Sequence, residues 1–539
     1  MSASTTSTPP STSPAPSEGV NRRLLLGVVA AGLFLAALDT YVVVTVLPRI
    51  VSDLGVGLDR PEQASPVISG FLLGYIVTMP LLGAVSDAHG RGRVYLACLG
   101  VFALGSVVTA TAGLAFSADS AGPSLAWLVA GRVLQGLGGG ALVPVAMALA
   151  ADLFPAGGRA QALGAVAGLQ EMGSVVGPLY GALLAAAAAG WGGWRVIFWI
   201  NLPLAALCAV GVLRVMRSPG GQAMVGDRGQ PREDAPRPRV DWAGGLLLGA
   251  GLALGVLALY PDDPSQRAVG PFFAPLGIAS LLALALFLRQ QARRADSLVP
   301  AALMRDRVFL GATLTNVLVG VGLMVALVDI PVFAQGVFGL QELPSALLLA
   351  QFMLAIPLGA VAGGWLAGVA GYRWTATAGL LLAGAAFLEM SAWDAAELGR
   401  RVFGLPPATV TLLLLGLGFG AVIAPLAAAI LDRSGRQQHG LASSLVVLAR
   451  MVGMLAALSA LAAFGIRRFN QLAAVGPPIP VGAASTVIEA AIRARVATAL
   501  TQEYHEVFTI AAVTCAAAAV VALLSLAPGP GAPRQAVLA

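Results

Sequence analysis

The sequence predicts an all-α integral membrane protein with fourteen transmembrane helices, built as two six-helix halves with two further helices inserted between them. Apolar residues make up 58% of the 539-residue chain and charged residues only 11%. Many apolar runs reach the ~20 residues that a helix needs to cross a bilayer. In addition, motifs of the first half return in the second half in the same order.

The predicted elements begin with a Ser/Thr/Pro-rich tail that cannot bury a core and should be disordered. Arg22 and Arg23 then precede an apolar run too long for a signal peptide, so the first span should remain in the protein. The predicted spans are 24–47, 66–85, 94–115, 125–150, 162–189, 196–215, 243–260, 271–288, 309–334, 344–367, 374–391, 409–430, 441–465 and 506–527.

These spans divide the chain into six regions. They are a tail (1–21), a first half (22–217), a cytoplasmic linker (218–242), two inserted helices (243–298), a second half (299–528) with a long outer segment (467–505), and a second tail (529–539). Arginine is concentrated in two predicted inner loops, Arg214–Arg239 and Arg289–Arg307. Because cytoplasmic loops carry an excess of positive charge, both termini are predicted to be cytoplasmic.

The stretch Gln170–Gly181 carries the strongest local pattern in the chain. Gly173, Gly177 and Gly181 recur every fourth residue, a spacing that lets a second helix approach closely. Pro178 removes a backbone donor and favours a bend. Glu171 lies on another face of the predicted helix, and an acid at that depth usually faces a wet space or a partner. The alternative interpretation is a tightly packed helix whose acid lies near a surface.

An internal repeat shows which residues the two halves share and which occur in one half only. Gly136 is followed sixteen residues later by Asp152, and Gly416 is followed at the same distance by Asp432. The loop pattern Gly83-x3-Asp87-x2-Gly90-Arg91 returns as Gly364-x3-Gly368-x2-Gly371-Tyr372-Arg373. Asp87 and Arg132 are replaced in the second copy by Gly368 and Leu412, so these charges are not general packing requirements.

Two repeated halves of this kind normally enclose a substrate site near the membrane midplane and rock about it, which predicts a transporter. Four charged residues within the spans are predicted to couple this transport to protons. They are Asp39, Arg132, Glu171 and Arg450, and Glu171 aligns with Arg450 in the repeat. A carboxyl group that is exposed alternately can bind and release a proton. The alternative for Asp39 and Arg132 is an interfacial position near a membrane surface. Asp329 is interpreted as such an interfacial acid.

A second group of residues lies at the inner ends of spans and is predicted to form a conformational latch. This group is Gly83, Asp87, Gly90, Arg91 and Asp152. His89 and His439 lie in inner loops and receive no predicted role.

The motifs together resemble the major facilitator superfamily, specifically its fourteen-span drug:proton antiporters. The matching segments are Leu38 to Pro48, Gly83 to Arg93, Arg132-x2-Gln135-Gly136, and Gly173 to Gly181. Longer stretches such as LQEMGSVVGPLYG and QHGLASSLVVLARMVGM resemble mycobacterial multidrug and triacylglyceride efflux pumps encoded beside a lipid-binding lipoprotein. The resemblance implies a bacterial cytoplasmic membrane protein exporting drugs or lipids, with that lipoprotein as a periplasmic partner. We expect a monomer.

Other functional classes lack support in the sequence. There is no nucleophile–base arrangement, metal cluster or phosphate-binding loop, so an enzyme and an ATP-driven pump are disfavoured. No cofactor other than the proton gradient is expected, and no nucleic-acid partner. Cys98, Cys208 and Cys515 fall in apolar runs and should be packed free thiols. An uncoupled lipid flippase or facilitator remains the alternative within transport.

The outer segment 467–505 is longer than two adjacent spans require, which suggests a function. After the turn at Pro477–Pro480, apolar residues recur at helical spacing from Val487 to Leu500, with Arg493 and Arg495 off that stripe. This pattern predicts an amphipathic helix at the outer membrane face that helps to handle an apolar cargo. The alternative is a helix that only rests on the interface.

Overall fold

The computed structural model describes residues 22–54, 65–114, 121–154, 156–188, 193–217, 241–259, 270–294, 299, 303–401, 404–434, 438–475 and 485–526. The two predicted tails, most of the cytoplasmic linker and the proline turn at 477–480 lie outside these ranges. No strand occurs within them, and the prediction of an all-α protein is confirmed.

The first half contains six helices: α1 (Arg22–Asp53), α2 (Ser65–His89), α3 (Arg91–Ala110), α4 (Ala121–Leu153), α5 (Ala156–Ala187) and α6 (Arg195–Arg217). The inserted pair is α7 (Trp242–Leu259) and α8 (Phe273–Arg293). The second half contains α9 (Arg307–Gly336), α10 (Glu342–Ala370), α11 (Tyr372–Met390), α12 (Pro407–Arg433), α13 (His439–Val475) and α14 (Ser485–Ser525).

Twelve of the helices in the described residues are long and apolar enough to cross a membrane. The other two long helices, α5 and α11, do not meet this criterion of composition, so the count of fourteen spans stays a prediction. Both lie between helices that do meet it, and α5 carries Arg159 and Glu171, which lower its apolar character.

The packing of the two halves follows the internal repeat. In the first half α1 packs on α5, α4 packs on both α2 and α3, and α3 packs on α6. In the second half α9 packs on α13, α12 packs on both α10 and α11, and α11 packs on α14. Each contact therefore returns eight helices later. Gly90 and Gly371 reinforce this match, because both have positive φ (95° and 87°) at the start of α3 and α11.

The main contacts between the two halves run along two helix pairs that are related by the same repeat, α2 with α13 and α5 with α10. Glycine makes both crossings close. A Cβ added to Gly83 would lie 2.5 Å from the carbonyl oxygen of Gly440, and one added to Gly164 would lie 2.6 Å from that of Ala360. Such distances leave no room for a side chain, so the backbones of the two halves touch at these points.

The inserted helices pack beside the first half. α7 lies against α2, where added Cβ atoms at Gly245 and Gly249 would meet Leu81 and Val77. Asp241 joins the pair by accepting hydrogen bonds from Gln290 (3.0 Å) and Gln291 (2.9 Å). α8 exposes many large apolar side chains along its length, as a lipid-facing helix should.

The outer segment differs from its prediction. We expected a span ending near residue 465, then a separate interfacial helix, then a span from 506. Instead α13 continues to Val475, and α14 runs without a break from Ser485 to Ser525. The stretch from Ser485 to Ser525 contains neither Gly nor Pro, so nothing in it ends the helix. The helix predicted from Val487 to Leu500 is therefore present, but the prediction that it is separate from the following span was wrong.

The two extended helices form an antiparallel hairpin. The guanidinium of Arg495 donates to the carbonyl oxygens of Ala473 (2.5 Å) and Ala474 (3.0 Å). At a second level of this hairpin, Arg468 on α13 bonds Glu506 on α14 at 2.5 Å.

Candidate functional site

A buried ion pair joins α1 to α4. The guanidinium Nη1 of Arg132 lies 2.6 Å from Oδ2 of Asp39, and the exposed fractions of the two side chains are 1% and 0%. The interfacial alternative for these residues is thus wrong, because neither side chain reaches a surface. The proton-coupling role predicted for both remains a prediction.

The second carboxylate oxygen of Asp39 also accepts hydrogen bonds. Its Oδ1 accepts hydrogen bonds from Gln135 Nε2 (3.1 Å) and Asn201 Nδ2 (2.7 Å). The same two amides also donate to the hydroxyl of Ser106, at 2.9 Å and 3.3 Å. Side chains from α4 and α6 therefore bind the Asp39 carboxylate of α1, and Ser106 on α3 links the two amides. The carboxylate is arranged to receive donors as an ionised acid does.

The guanidinium of Arg132 has further partners that fix its orientation. It donates to the carbonyl oxygen of Val67 (3.4 Å) and to Oε1 of Gln135 (3.0 Å). Its central carbon also lies 4.4 Å from the ring centroid of Phe71, a cation–π geometry. Because arginine stays charged even when buried, this site contains a permanent positive charge that only Asp39 balances among the described residues.

Asn201 and Ser106 were not found from the sequence. Both are single polar residues in apolar helices, a composition that also fits ordinary helix packing in membranes. For Asn201 a signal existed, since it stands alone in the apolar run from Val196 to Leu207. Its partner could not be identified without the fold.

A second ion pair links the two halves. Nη2 of Arg450 on α13 lies 3.4 Å from Oε1 of Glu171 on α5, with 12% and 19% of the side chains exposed. These are the two residues that align in the repeat. The structure thus brings the four predicted coupling residues together as two separate pairs, one inside the first half and one between the halves.

The glycine stripe of α5 faces α1 at its first member. A Cβ added to Gly173 would lie 2.7 Å from the carbonyl oxygen of Phe34 and 3.0 Å from Cβ of Ala37. Gly177 and Gly181 are buried, and Pro178 lies inside the continuous helix α5. The packing role of all four residues is consistent with these positions and stays a prediction.

The helix ends that are predicted to lie on the inner side carry a network across the two halves. The carboxylate of Asp87 accepts hydrogen bonds from the backbone N–H groups of Gly440 (3.0 Å) and Leu441 (3.1 Å), and from Arg91 (2.7 Å). Asp87 on α2 thereby occupies the amino terminus of α13, where unpaired N–H groups and the helix dipole favour an anion. Gly83 provides the close backbone approach described above.

Arg91 connects this contact to a further one. Its Nε donates to Oδ2 of Asp152 at 2.5 Å, and Oδ1 of Asp152 lies 2.8 Å from Nδ1 of His439. His439 belongs to the second half and Asp152 to the first, so this pair also crosses between the halves. No role was predicted for His439, although it occupies the position in the repeat that Arg159 occupies in the first half.

The mirrored position contains an equivalent contact. Arg159 at the start of α5 forms an ion pair with Asp432 at the end of α12, and Tyr372 donates to Oδ2 of Asp432 at 2.8 Å. Tyr372 corresponds to Arg91, and Asp432 corresponds to Asp152. The inner ends are therefore held by two repeat-related sets, of which the sequence identified only the one in the first half.

Asp329 and the three cysteines are titratable groups that take no part in these contacts. Asp329, expected at an interface, is only 6% exposed and lies inside α9, so that interpretation was wrong. The three cysteines are free and buried. Among the described residues no group of three or more His, Cys, Asp or Glu side chains is arranged to hold a metal ion.

Comparison with known proteins adds family information. Residues 29–458 match the Major Facilitator Superfamily. The chain is 38% identical over 519 residues to a triacylglyceride transporter of Mycolicibacterium smegmatis, covering 94% of this chain and 87% of that protein. It is 40% identical over 512 residues to a triacylglyceride transporter of Mycobacterium tuberculosis, covering 93% and 94%.

Solved structures with low sequence identity share the fold. The human organic anion transporter MFSD10 superposes with a TM-score of 0.58 at 20% identity, covering 92% of this chain and all of that chain. The transporter FucP in the outward conformation gives 0.56 at 14% identity, covering 92% and 97%.

Proposed function

The chain belongs to the Major Facilitator Superfamily of transporters, and on this basis we propose that it is a proton-coupled exporter of hydrophobic or amphipathic compounds. Its proposed cargo is lipid of the triacylglyceride type, with hydrophobic drugs as a second class. It would work by alternating access in a bacterial cytoplasmic membrane, as a monomer with both termini in the cytoplasm.

The cargo class is supported by relatives that align over nearly the full length of the chain. Both proteins described above are named triacylglyceride transporters, and the alignment includes the inserted helices and the outer hairpin. Triacylglycerides carry no charge, so the charged pairs of this protein need not bind the cargo. We therefore assign these pairs to coupling and conformational change. A periplasmic lipid-binding lipoprotein is the proposed acceptor of the exported lipid.

The observation that carries proton coupling is the buried pair of Asp39 and Arg132. Arg132 keeps its charge at any relevant pH, so the state of the pair depends on whether Asp39 binds a proton. Protonation removes the attraction and leaves the buried charge of Arg132 unbalanced. Leaving one member of a buried pair unbalanced costs about 3–5 kcal/mol, enough to favour a rearrangement that brings water or a new partner to Arg132.

The pair between the halves supplies the conformational part of the proposal. Glu171 and Arg450 can stay in contact only while α5 and α13 keep their present separation. The latch contacts at the inner ends likewise hold α2 and α4 to α13, and α5 to α12. In alternating access these contacts must break when the inner side opens.

Reconstituted vesicles test this proposal directly. With purified protein, a labelled triacylglyceride and an imposed pH gradient, we expect accumulation against the lipid gradient that collapses when an uncoupler is added. An uncoupled flippase or facilitator would only equalise the lipid between leaflets, and an uncoupler would leave its rate unchanged. That second result would reject proton coupling while keeping the lipid cargo.

A further inference from the structure

Asp329 is a buried acid that the two ion pairs do not include. It lies in the outer half of α9, is 6% exposed, and its Oδ2 has no hydrogen-bond partner among the described residues. An ionised carboxylate without a partner is very costly in an apolar interior, whereas a neutral carboxylic acid is tolerated there. The surroundings of Asp329 therefore favour a bound proton.

A second buried acid lies one helical turn away. α9 and α14 pack antiparallel to each other. A Cβ added to Gly336 would lie 2.7 Å from Leu500, and the ring centroids of Phe333 and Tyr504 are 5.6 Å apart. Continuing this register puts Asp329 at the level of residues 507–508. Glu503, 7% exposed, is then about one turn (~5.4 Å) further out, on the same face as residue 507.

Packed rings close this region to water. Phe333 contacts Trp393 and Phe508 in addition to Tyr504, with centroids 5.9 Å and 5.8 Å apart. On the α13 side, a Cβ added to Gly465 would lie 2.6 Å from Oε1 of Glu503, so this carboxyl is also pressed against a helix.

The cations around the two acids are committed elsewhere or exposed. On α13, Arg467 is exposed, Arg468 bonds Glu506, and Arg450 bonds Glu171. On α14, His505 bonds the carbonyl oxygen of Trp393 at 2.8 Å. The charged residues of α10, α11 and α12 lie only at or near their ends: Glu342, Arg373, Glu389, Asp432 and Arg433.

We propose that Asp329 and Glu503 form a carboxyl pair that binds one proton at neutral pH, a proton site in the second half separate from Asp39. Two such groups in an apolar environment cannot both ionise, so one takes a proton from water and becomes a carboxylic acid. The site itself does not depend on transport. Its use in transport rests on the proposed proton coupling, where it would hold a second exchangeable proton.

Infrared spectroscopy of the purified full-length protein tests occupancy without transport. Protonated carboxylic acids have a C=O stretching band that carboxylates lack, and a pH titration follows its loss. In the wild type we expect a band that persists at neutral pH and disappears in Asp329→Asn. Glu503→Gln should keep the band but lower its titration midpoint by about one pH unit or more, because the neighbouring negative charge is removed.

The matched control is Asp394→Asn, which changes an exposed acid at the same end of the second half and should leave the band unchanged. The proposal is overturned if the wild type has no protonated carboxyl band at neutral pH, or if Glu503→Gln leaves the titration midpoint where it was. Should Asp329→Asn fail to fold, these two results still decide. Failure of proton-driven lipid transport with the band intact would reject the proposed function and keep this site.

Discussion

Asp39 on α1 and Arg132 on α4 hold their charged groups 2.6 Å apart at a place that solvent does not reach. The Asp39 carboxylate accepts three hydrogen bonds, one each from Arg132, Gln135 and Asn201. A pair of this kind is stable as long as both charges are present, and it is disrupted when either is lost. In the proposed mechanism, binding of a proton by Asp39 is the event that disrupts this pair.

The contact between Glu171 and Arg450 predicts that single substitutions lose uphill transport and that exchanging the two residues restores part of it. Glu171→Gln or Arg450→Gln should fold but lose uphill transport at least tenfold, because the halves lose their charged contact. Exchanging the two residues, Glu171→Arg with Arg450→Glu, should restore part of the activity. Thermal unfolding of the single and double variants should give an interaction energy of about 1–3 kcal/mol. Additive losses in the cycle would show that the two residues act independently.

The glycine stripe predicts a steric effect on the α1–α5 contact. Gly173→Leu should destabilise the protein by about 1–3 kcal/mol and slow transport, because even a Cβ would meet the backbone of Phe34. Gly177→Leu should impair cycling in the same way while insertion into the membrane persists. Gly100→Leu is the matched control, since an added Cβ there meets nothing within 4 Å. Normal transport by both stripe variants would remove this stripe as an interface.

The latch predicts that the inner side opens more readily when one cross-half bond is lost. His439→Gln should weaken the contact with Asp152 by about 1.5–3 kcal/mol, which is roughly a tenfold to hundredfold change in population. Spin labels at the exposed positions His89 and Arg305 would measure the separation of the inner ends. We expect longer distances in His439→Gln and, by the repeat, in Arg159→Gln. Arg307→Gln, an exposed control, should leave the distances unchanged, and unchanged distances in both latch variants would contradict this role.

The outer hairpin predicts a difference between cargoes. Residues 473 and 495 face each other, so residues 474–494 can be replaced by a short Gly/Ser linker without cutting into most of the candidate span of α14. Lipid export should fall while efflux of small drugs largely survives, because only the long apolar tails would use the hairpin. The control replaces residues 221–235 of the predicted cytoplasmic linker with the same Gly/Ser linker, which should leave the export of both cargoes unchanged. Equal retention of both activities would make the hairpin a passive connector.

The sequence was sufficient for features that recur with a fixed spacing. Apolar run length gave the helices, and the repeated glycine–acid spacing gave the two halves. Asp87 and Arg91 could be assigned to the inner ends because their loop pattern is local.

Features that depend on partners distant in the sequence were missed. His439 and Arg159 bond acids on other helices, and a residue's own neighbours in the sequence do not identify such partners. Asn201 was missed for the same reason. The outer hairpin was misread because an amphipathic period indicates a helix but does not say whether that helix continues into the next span.

Asp39 is the residue on which the proposed proton coupling depends most, and one measurement tests its role directly. Proteoliposomes containing wild type or Asp39→Asn would be given a labelled triacylglyceride and an imposed pH gradient, with folding checked by thermal unfolding. We predict uphill accumulation by the wild type and, in a folded Asp39→Asn, only equilibration that the pH gradient does not drive. Full proton-driven accumulation by Asp39→Asn would contradict the assignment of this carboxyl to coupling.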